Sequence, residues 1–292
     1  MKKRMLLTIA ATVCLMATAS TTNAQFSFSE VGPIDSDGAT ITGSNAVGGG
    51  LFSTVTFSGD LTEINTGTFG SEARFRAGIS EYQVTTTGGF TGTLNLTNEI
   101  TNGIFWAPST TGTVNVDTFE SFDDGGDGVA DATWENVDFL LDGAVNVVDI
   151  GDFTEGSSFV FDTEGSTGIT DTELGGFGEF GSLLGNDDDG GTGTLSLFDF
   201  DAANGGAPLG VGEYYLVLGA FNTLYADGSV TTTSTATGDY NINLNGASVD
   251  SGTLAAGGLQ TLTFSVVAVP EPASLSLIAI VGLGLCVRRK RS

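Results

Sequence analysis

Apolar and polar residues alternate with a period of two along much of this chain, the spacing of a strand with one face buried. In Asp239-Tyr240-Asn241-Ile242-Asn243-Leu244-Asn245 every even position is apolar and every odd one polar. Residues 93–97, 113–116 and 261–266 repeat the pattern, and 51–57 and 157–161 are further candidate strands. Asp142-Gly143, Asp227-Gly228 and Asn245-Gly246 predict turns between them, since these pairs accept the positive φ of tight hairpins. No stretch between Gln25 and Val269 shows a convincing helical period. The pattern predicts an all-β fold, with antiparallel sheets packed as one or two β-sandwich domains. A division near Gly151 or Gly156 gives a β-rich domain at 25–150 and a second at 151–268. No Pro/Ser-rich linker marks the boundary, so a core shared by the two halves stays open.

Two apolar runs do not alternate, and they lie at the two ends. Residues 1–24 begin with Lys2, Lys3 and Arg4, continue through an apolar stretch at 5–17, and finish on the small-residue pattern Thr22-Asn23-Ala24. That order reads as a secretory signal peptide cut between Ala24 and Gln25 by signal peptidase. In residues 269–292, Pro270-Glu271-Pro272 precedes an apolar run at 273–287 and then Arg288, Arg289, Lys290 and Arg291. As a helix, 15 residues would reach about 22 Å against a hydrocarbon core of ~30 Å. Snorkelling by the terminal arginines would cover part of the difference. The basic stop would stay on the cytoplasmic side, leaving the body on the other. The prolines would keep the segment before the membrane extended.

The three parts of this tail, in this order, resemble the PEP-CTERM sorting signal of Gram-negative exopolysaccharide producers. The resemblance implies recognition by an exosortase, a membrane protease-transpeptidase, which removes the tail. It also implies a route through the inner membrane to the cell surface or extracellular matrix. A plain membrane anchor with an incidental Pro-Glu-Pro is the alternative, with the same membrane physics.

Within the second half, Asp171-Thr172-Glu173-Leu174 is followed by Asn186-Asp187-Asp188-Asp189, then Gly212-Glu213-Tyr214-Tyr215-Leu216 and Gly238-Asp239-Tyr240-Asn241-Ile242. This succession resembles the bacterial pre-peptidase C-terminal (PPC-like) domain, a small jelly-roll-like β-sandwich. It departs from that pattern in an insertion, Asn204-Gly205-Gly206-Ala207-Pro208. Adjacent on a strand, Tyr214 and Tyr215 are expected on opposite faces.

Charge narrows the chemistry. Across residues 25–268 the only cations are Arg74 and Arg76, against 34 of the 35 acids, a net charge of −32. Such a body repels nucleic acid and anionic surfaces and attracts cations. The sequence has no histidine, and its two cysteines, Cys14 and Cys286, lie in the terminal runs. Ser-His-Asp and Cys-His sites, imidazole bases and His-ligated zinc are therefore excluded. The body has no lysine either, so a phosphate cradle of the P-loop kind is missing. Arg74 and Arg76 share one strand face and are expected to pair with acids.

Two acidic clusters offer oxygen ligands to a hard cation. In the loop opening at Asp123, Asp123, Asp127 and Asp131 take positions 1, 5 and 9 of an EF-hand-like count, but Gly125 and Trp134 replace the ligands at 3 and 12. In Asn186-Asp187-Asp188-Asp189, neighbouring carboxylates repel one another unless water or an ion bridges them. For both clusters the readings are a calcium site or a solvated acidic turn, and no other cofactor is indicated. The leading expectation is a non-catalytic, exosortase-processed surface or matrix protein associated with exopolysaccharide. The alternatives are a calcium-dependent carbohydrate-binding or adhesion module, with Trp106 and Trp134 as exposed aromatics, and a two-carboxylate glycan-cleaving enzyme. For the last, no spacing selects a catalytic pair.

Overall fold

A computed structural model describes residues 24–34, 50–64, 70–77, 80–83, 85–101, 103–107, 116–120 and 132–269. These are mostly strand, with a single α-helical turn. No helix among them is long and apolar enough to cross a membrane. The run at 273–287, expected to do so, lies outside the described residues, as do the expected signal peptide up to Asn23, most of the candidate strand at 113–116, and the loop carrying Asp123, Asp127 and Asp131. The chain divides into two compact units, Met1–Val148 and Asp149–Ser292.

In the first unit the strands are β1 (Ala24–Ile34), β2 (Gly50–Glu63), β3 (Ala73–Ala77), β4 (Ser80–Gln83), β5 (Thr93–Ile100), β6 (Gly103–Ala107), β7 (Val116–Glu120) and β8 (Ala132–Ala144). The long β2 is central. It pairs with β8 on one edge and with β5 and β6 on the other, and β8 pairs in turn with β1, all antiparallel. A separate three-stranded sheet runs β4-β3-β7. Phe52, Val55, Phe57 and Leu61 of β2 and Trp134, Val137, Phe139 and Leu141 of β8 form one buried cluster with Leu96 and Phe105. A period of two cannot put both Trp134 and Val137 inward, because they are three apart. A β-bulge solves this: three steps of β8, from Glu135 to Asp138, oppose two of β2, and Asn136 takes a positive φ of 51°. Asp142-Gly143, expected as a turn, lies inside β8 instead. Its Gly143 has a φ of 75°, between Asp142 and Ala144 that both pair with β2, and the position needs glycine because a Cβ there would fall 2.1 Å from Ser53 Oγ.

The second unit contains β9 (Val147–Thr154), β10 (Val160–Asp162), β11 (Thr172–Phe177), β12 (Leu183–Asp187), β13 (Leu197–Asp199), the turn of helix α1 (Phe200–Ala203), β14 (Gly212–Ala220), β15 (Thr223–Ala226), β16 (Ser229–Thr232), β17 (Gly238–Leu244), β18 (Ala247–Leu254) and β19 (Gln260–Val267). One sheet runs β12-β11-β14-β19-β9 and another β13-β10-β17-β18. Asp227-Gly228 turns between β15 and β16, and Asn245-Gly246 turns between β17 and β18, both residues of the latter pair at positive φ. Rings from the two sheets meet around Phe264 of β19, which lies 5.8 Å from Phe161 of β10, stacks on Phe159 just ahead of β10 (4.7 Å) and on Tyr214 of β14 (5.6 Å), and lies edge-on to Phe200 of α1 (5.4 Å). Tyr215, the neighbour of Tyr214, instead donates its hydroxyl to Glu213 Oε2 at 2.8 Å.

In β17 the even positions Tyr240, Ile242 and Leu244 are buried as the alternation predicts. The odd positions are not simply solvated. Asn241 and Asn243 both donate side-chain N–H groups to the Glu164 carbonyl, and Asn243 also donates to Asp162 Oδ1 at 2.6 Å.

Candidate acidic site and the sorting segment

The residues from which a site can be built lie where the β11–β12 hairpin meets the turn that follows β12. Leu174 stands opposite Asp187, so residue 171, just ahead of β11, comes level with the chain beyond Asp187. The backbone around Asp171 is fixed from two sides. Its carbonyl accepts the N–H of Phe221 at 3.3 Å, and it forms an isolated bridge with Thr194. Beneath the turn, Ser196 and two threonines make a buried hydroxyl network. The Ser196 N–H meets both Thr163 Oγ1 and Thr172 Oγ1 at 3.0 Å, and the Ser196 hydroxyl donates to the Asp188 carbonyl at 2.9 Å.

On this base the carboxylates of Asp171, Asp188 and Asp189 converge, with one oxygen of each within 4.8 Å of the others. Asp171 Oδ1 is itself buried and has no hydrogen-bond partner. Burial, followed by the charge of Asp189, raises the Asp171 pKa above the ordinary carboxylate value. Asp188 is raised by burial and then by Asp189, Asp171 and Asp187 in turn. Glu173, on the buried strand, is raised by burial against the N–H groups of Thr223 (2.8 Å) and Asn222 (3.2 Å) that it accepts. Among the described residues of this unit there is no lysine or arginine to neutralise the group. Three convergent carboxylate oxygens in one place are the donor set of a hard cation.

The turn therefore divides the four residues expected as ligands. Asp188 and Asp189 enter the convergent group. Asp187 does not: its Oδ2 closes the turn by accepting the N–H of Gly190 (2.9 Å) and of Leu197 (2.8 Å). Asn186 is exposed on β12 opposite Gly175 and lies outside the group. Asp171 joins the group from the residue just ahead of β11, a partner the spacing did not reveal.

The remaining candidates fall elsewhere. Arg74 Nε lies 3.6 Å from Glu81 Oε1, and its guanidinium also donates to the Ser71 and Ala73 carbonyls, so it has the acid partner expected of it. Trp106 and Trp134 are both buried in the first unit, which corrects the reading of them as exposed carbohydrate-binding aromatics. Large apolar rings leave water wherever the sheet offers a covered face. Ala24 and Gln25, flanking the expected signal-peptidase cut, are the first two residues of β1, opposite Leu141 and Leu140. Pro270, Glu271, Pro272, Arg288, Arg289, Lys290 and Arg291 lie outside the described residues.

The PEP-CTERM protein-sorting motif matches residues 268–291. That segment holds the Pro-Glu-Pro, the apolar run and the basic stop, and it marks an exported protein processed by an exosortase. The match begins at residue 268, and no family match supports the likeness to a pre-peptidase domain expected for residues 151–268. No curated protein and no solved structure is significantly similar to the chain.

Proposed function

We propose that this chain is a non-catalytic protein of the Gram-negative cell surface or extracellular matrix. In this reading it is held briefly in the inner membrane by residues 273–287 and then freed by exosortase to work among exopolysaccharide as an acidic β-sandwich body. The observation that carries this is the sorting motif at 268–291 following a body of net charge −32 that lacks histidine, cysteine and lysine. Such a body has no thiol, no lysine amine and no imidazole base, while its charge keeps it soluble in a polyanionic, hydrated matrix. Intact mass of the secreted form tests the processing. A chain from Gln25 to about the Pro-Glu-Pro segment is expected, with any excess reporting glycosylation or attachment. Full-length protein retained in the cell would overturn the proposal, and release of reducing ends from polysaccharide by the purified body would overturn its non-catalytic part.

A second reading, a calcium-dependent adhesion or carbohydrate-binding module, is favoured by one observation: the convergence of Asp171, Asp188 and Asp189 around an unpaired buried oxygen. Extracellular sites of this type have Kd values of about 10⁻⁴–10⁻³ M, so 10 mM calcium should stabilise the body by about 1.4–2.7 kcal/mol. Thermal melting with and without calcium, on the natural sequence and on Asp171→Asn, checks it. The expected result is a rise in Tm that the substitution removes. An unchanged Tm in the natural sequence leaves an ordinary acidic turn.

A further inference from the structure

Among the described residues, four of the eight large apolar side chains that remain exposed lie at one end of the five-stranded sheet of the second unit, while Phe221 and Leu224 lie beyond its Ala220 end. Val211 is 61% exposed, Val269 58%, Phe180 37% and Val267 37%. The strand register places them together. Gly212, which opens β14, stands opposite Val266 near the end of β19. Phe177, which ends β11 just before Phe180, stands opposite Tyr215 of β14. The Val267 carbonyl is fixed at this same end by the N–H of Glu155 at 2.9 Å. Single exposed apolar residues need no explanation, but a group of four at one end of a sheet does.

The chain leaves the sheet at this same end. Between Val269 and the apolar run that starts at Ala273 stand only Pro270, Glu271 and Pro272. Even fully extended, the four steps from Val269 to Ala273 span at most about 14 Å. The headgroup layer on each side of a bilayer takes up about 5–8 Å of that. If residues 273–287 enter the membrane, Val269 is held within about 6–9 Å of the lipid surface, close enough for the end of β19 to rest on it. The described residues of this unit include no lysine or arginine, so the unit itself offers no attraction to anionic headgroups. The carboxylate of Glu213, the acid nearest the start of β14, is occupied by the hydroxyls of Tyr215 (2.8 Å) and Thr263 (3.3 Å).

We infer that Phe180, Val211, Val267 and Val269 form a membrane-resting face, seated in the interfacial layer of the bilayer while the protein is still anchored. The occupant is the lipid surface itself, contacted through apolar burial and not through charge. The inference rests on the anchor reading of residues 273–287. Its consequence is orientation: before processing, the β14-start and β19-end edge faces the membrane, and the Ala220 end of β14 faces away from it.

The test uses the full chain in zwitterionic phosphatidylcholine vesicles, with Cys14 replaced by Ala. An environment-sensitive fluorophore is placed on Val211→Cys or Phe180→Cys, each combined with Cys286→Ala. Leu224→Cys serves as the control: Leu224 is more exposed, at 67%, and lies beyond the Ala220 end of β14. A fourth sample carries the label on Cys286. All four sites are exposed or lie in the tail, and circular dichroism confirms that each variant keeps its β signal. Val269→Cys repeats the measurement should either of the first two lose it. The expected result is quenching by lipid-borne quenchers at 211 and 180 at least about threefold greater than at 224, unchanged by added salt. Equal quenching at 211, 180 and 224, with Cys286 strongly quenched, overturns the membrane-resting face and leaves the anchor intact. An unquenched Cys286 overturns both. Labels at 211 and 180 that are already shielded without vesicles overturn the inference in favour of a second copy of the chain as the occupant.

Discussion

On the outer face of β2, Asp60 accepts side-chain N–H groups from Asn136 of β8, at 2.8 Å, and from Asn95 of β5. One carboxylate thus ties three strands and pins the bulge that lets Trp134 and Val137 share a core. The Asn136 bond, then the Asn95 bond, hold the Asp60 pKa below its ordinary value of 3.8. A carboxyl lowered by folding adds stability above its unfolded pKa and loses it as the pH falls through its folded pKa. Asp60→Ala should therefore lower stability at neutral pH and flatten the acid limb of the stability curve below about pH 4, as thermal melts across a pH series would show. Residue types foretold part of the acidic site, because adjacent acids in a Gly-rich turn are conspicuous. They did not foretell Asp171, which is brought to Asp188 by the register of a hairpin, nor the diversion of Asp187 into closing the turn.

At the scale of elements, β11 departs furthest from simple alternation. Every residue from Thr172 to Phe177 is buried, and it contains Gly175-Gly176 in a place where sequence alone suggests a turn. The glycines are there because aromatic rings cover both faces. A Cβ on Gly175 would come within 2.2 Å of the Tyr225 ring, and one on Gly176 within 2.1 Å of the Phe198 ring. Gly176→Ala should cost about 3 kcal/mol through overpacking, even though alanine is the better strand former, and chemical denaturation of the purified body would measure it. Strands such as β5, β17 and β19 were legible because each has one covered face, which writes itself into the sequence as a period of two. A strand covered on both faces leaves no such record. Asp142-Gly143 misled for a related reason: a positive φ is needed inside β8 as well as in hairpins.

At the scale of the whole molecule, the second unit is held by a cluster of rings centred on Phe264, which touches Phe153, Phe159, Phe161, Phe200 and Tyr214. Phe264→Ala should destabilise that unit by about 3–5 kcal/mol, since so many rings cannot close the cavity together, and the loss would appear as a lower denaturation midpoint. The all-β character, the sorting pattern, the acidic body and the exclusion of imidazole chemistry are determined by the sequence itself. Each is a matter of composition or of neighbours a few residues apart, and needs no knowledge of what packs where. Tertiary structure alone decided that Asp171 meets Asp188 and Asp189, that both tryptophans are buried, and that four apolar side chains are left bare where β19 ends. Those outcomes depend on strand register between residues far apart in the chain, where a shift of one position turns every side chain to the opposite face.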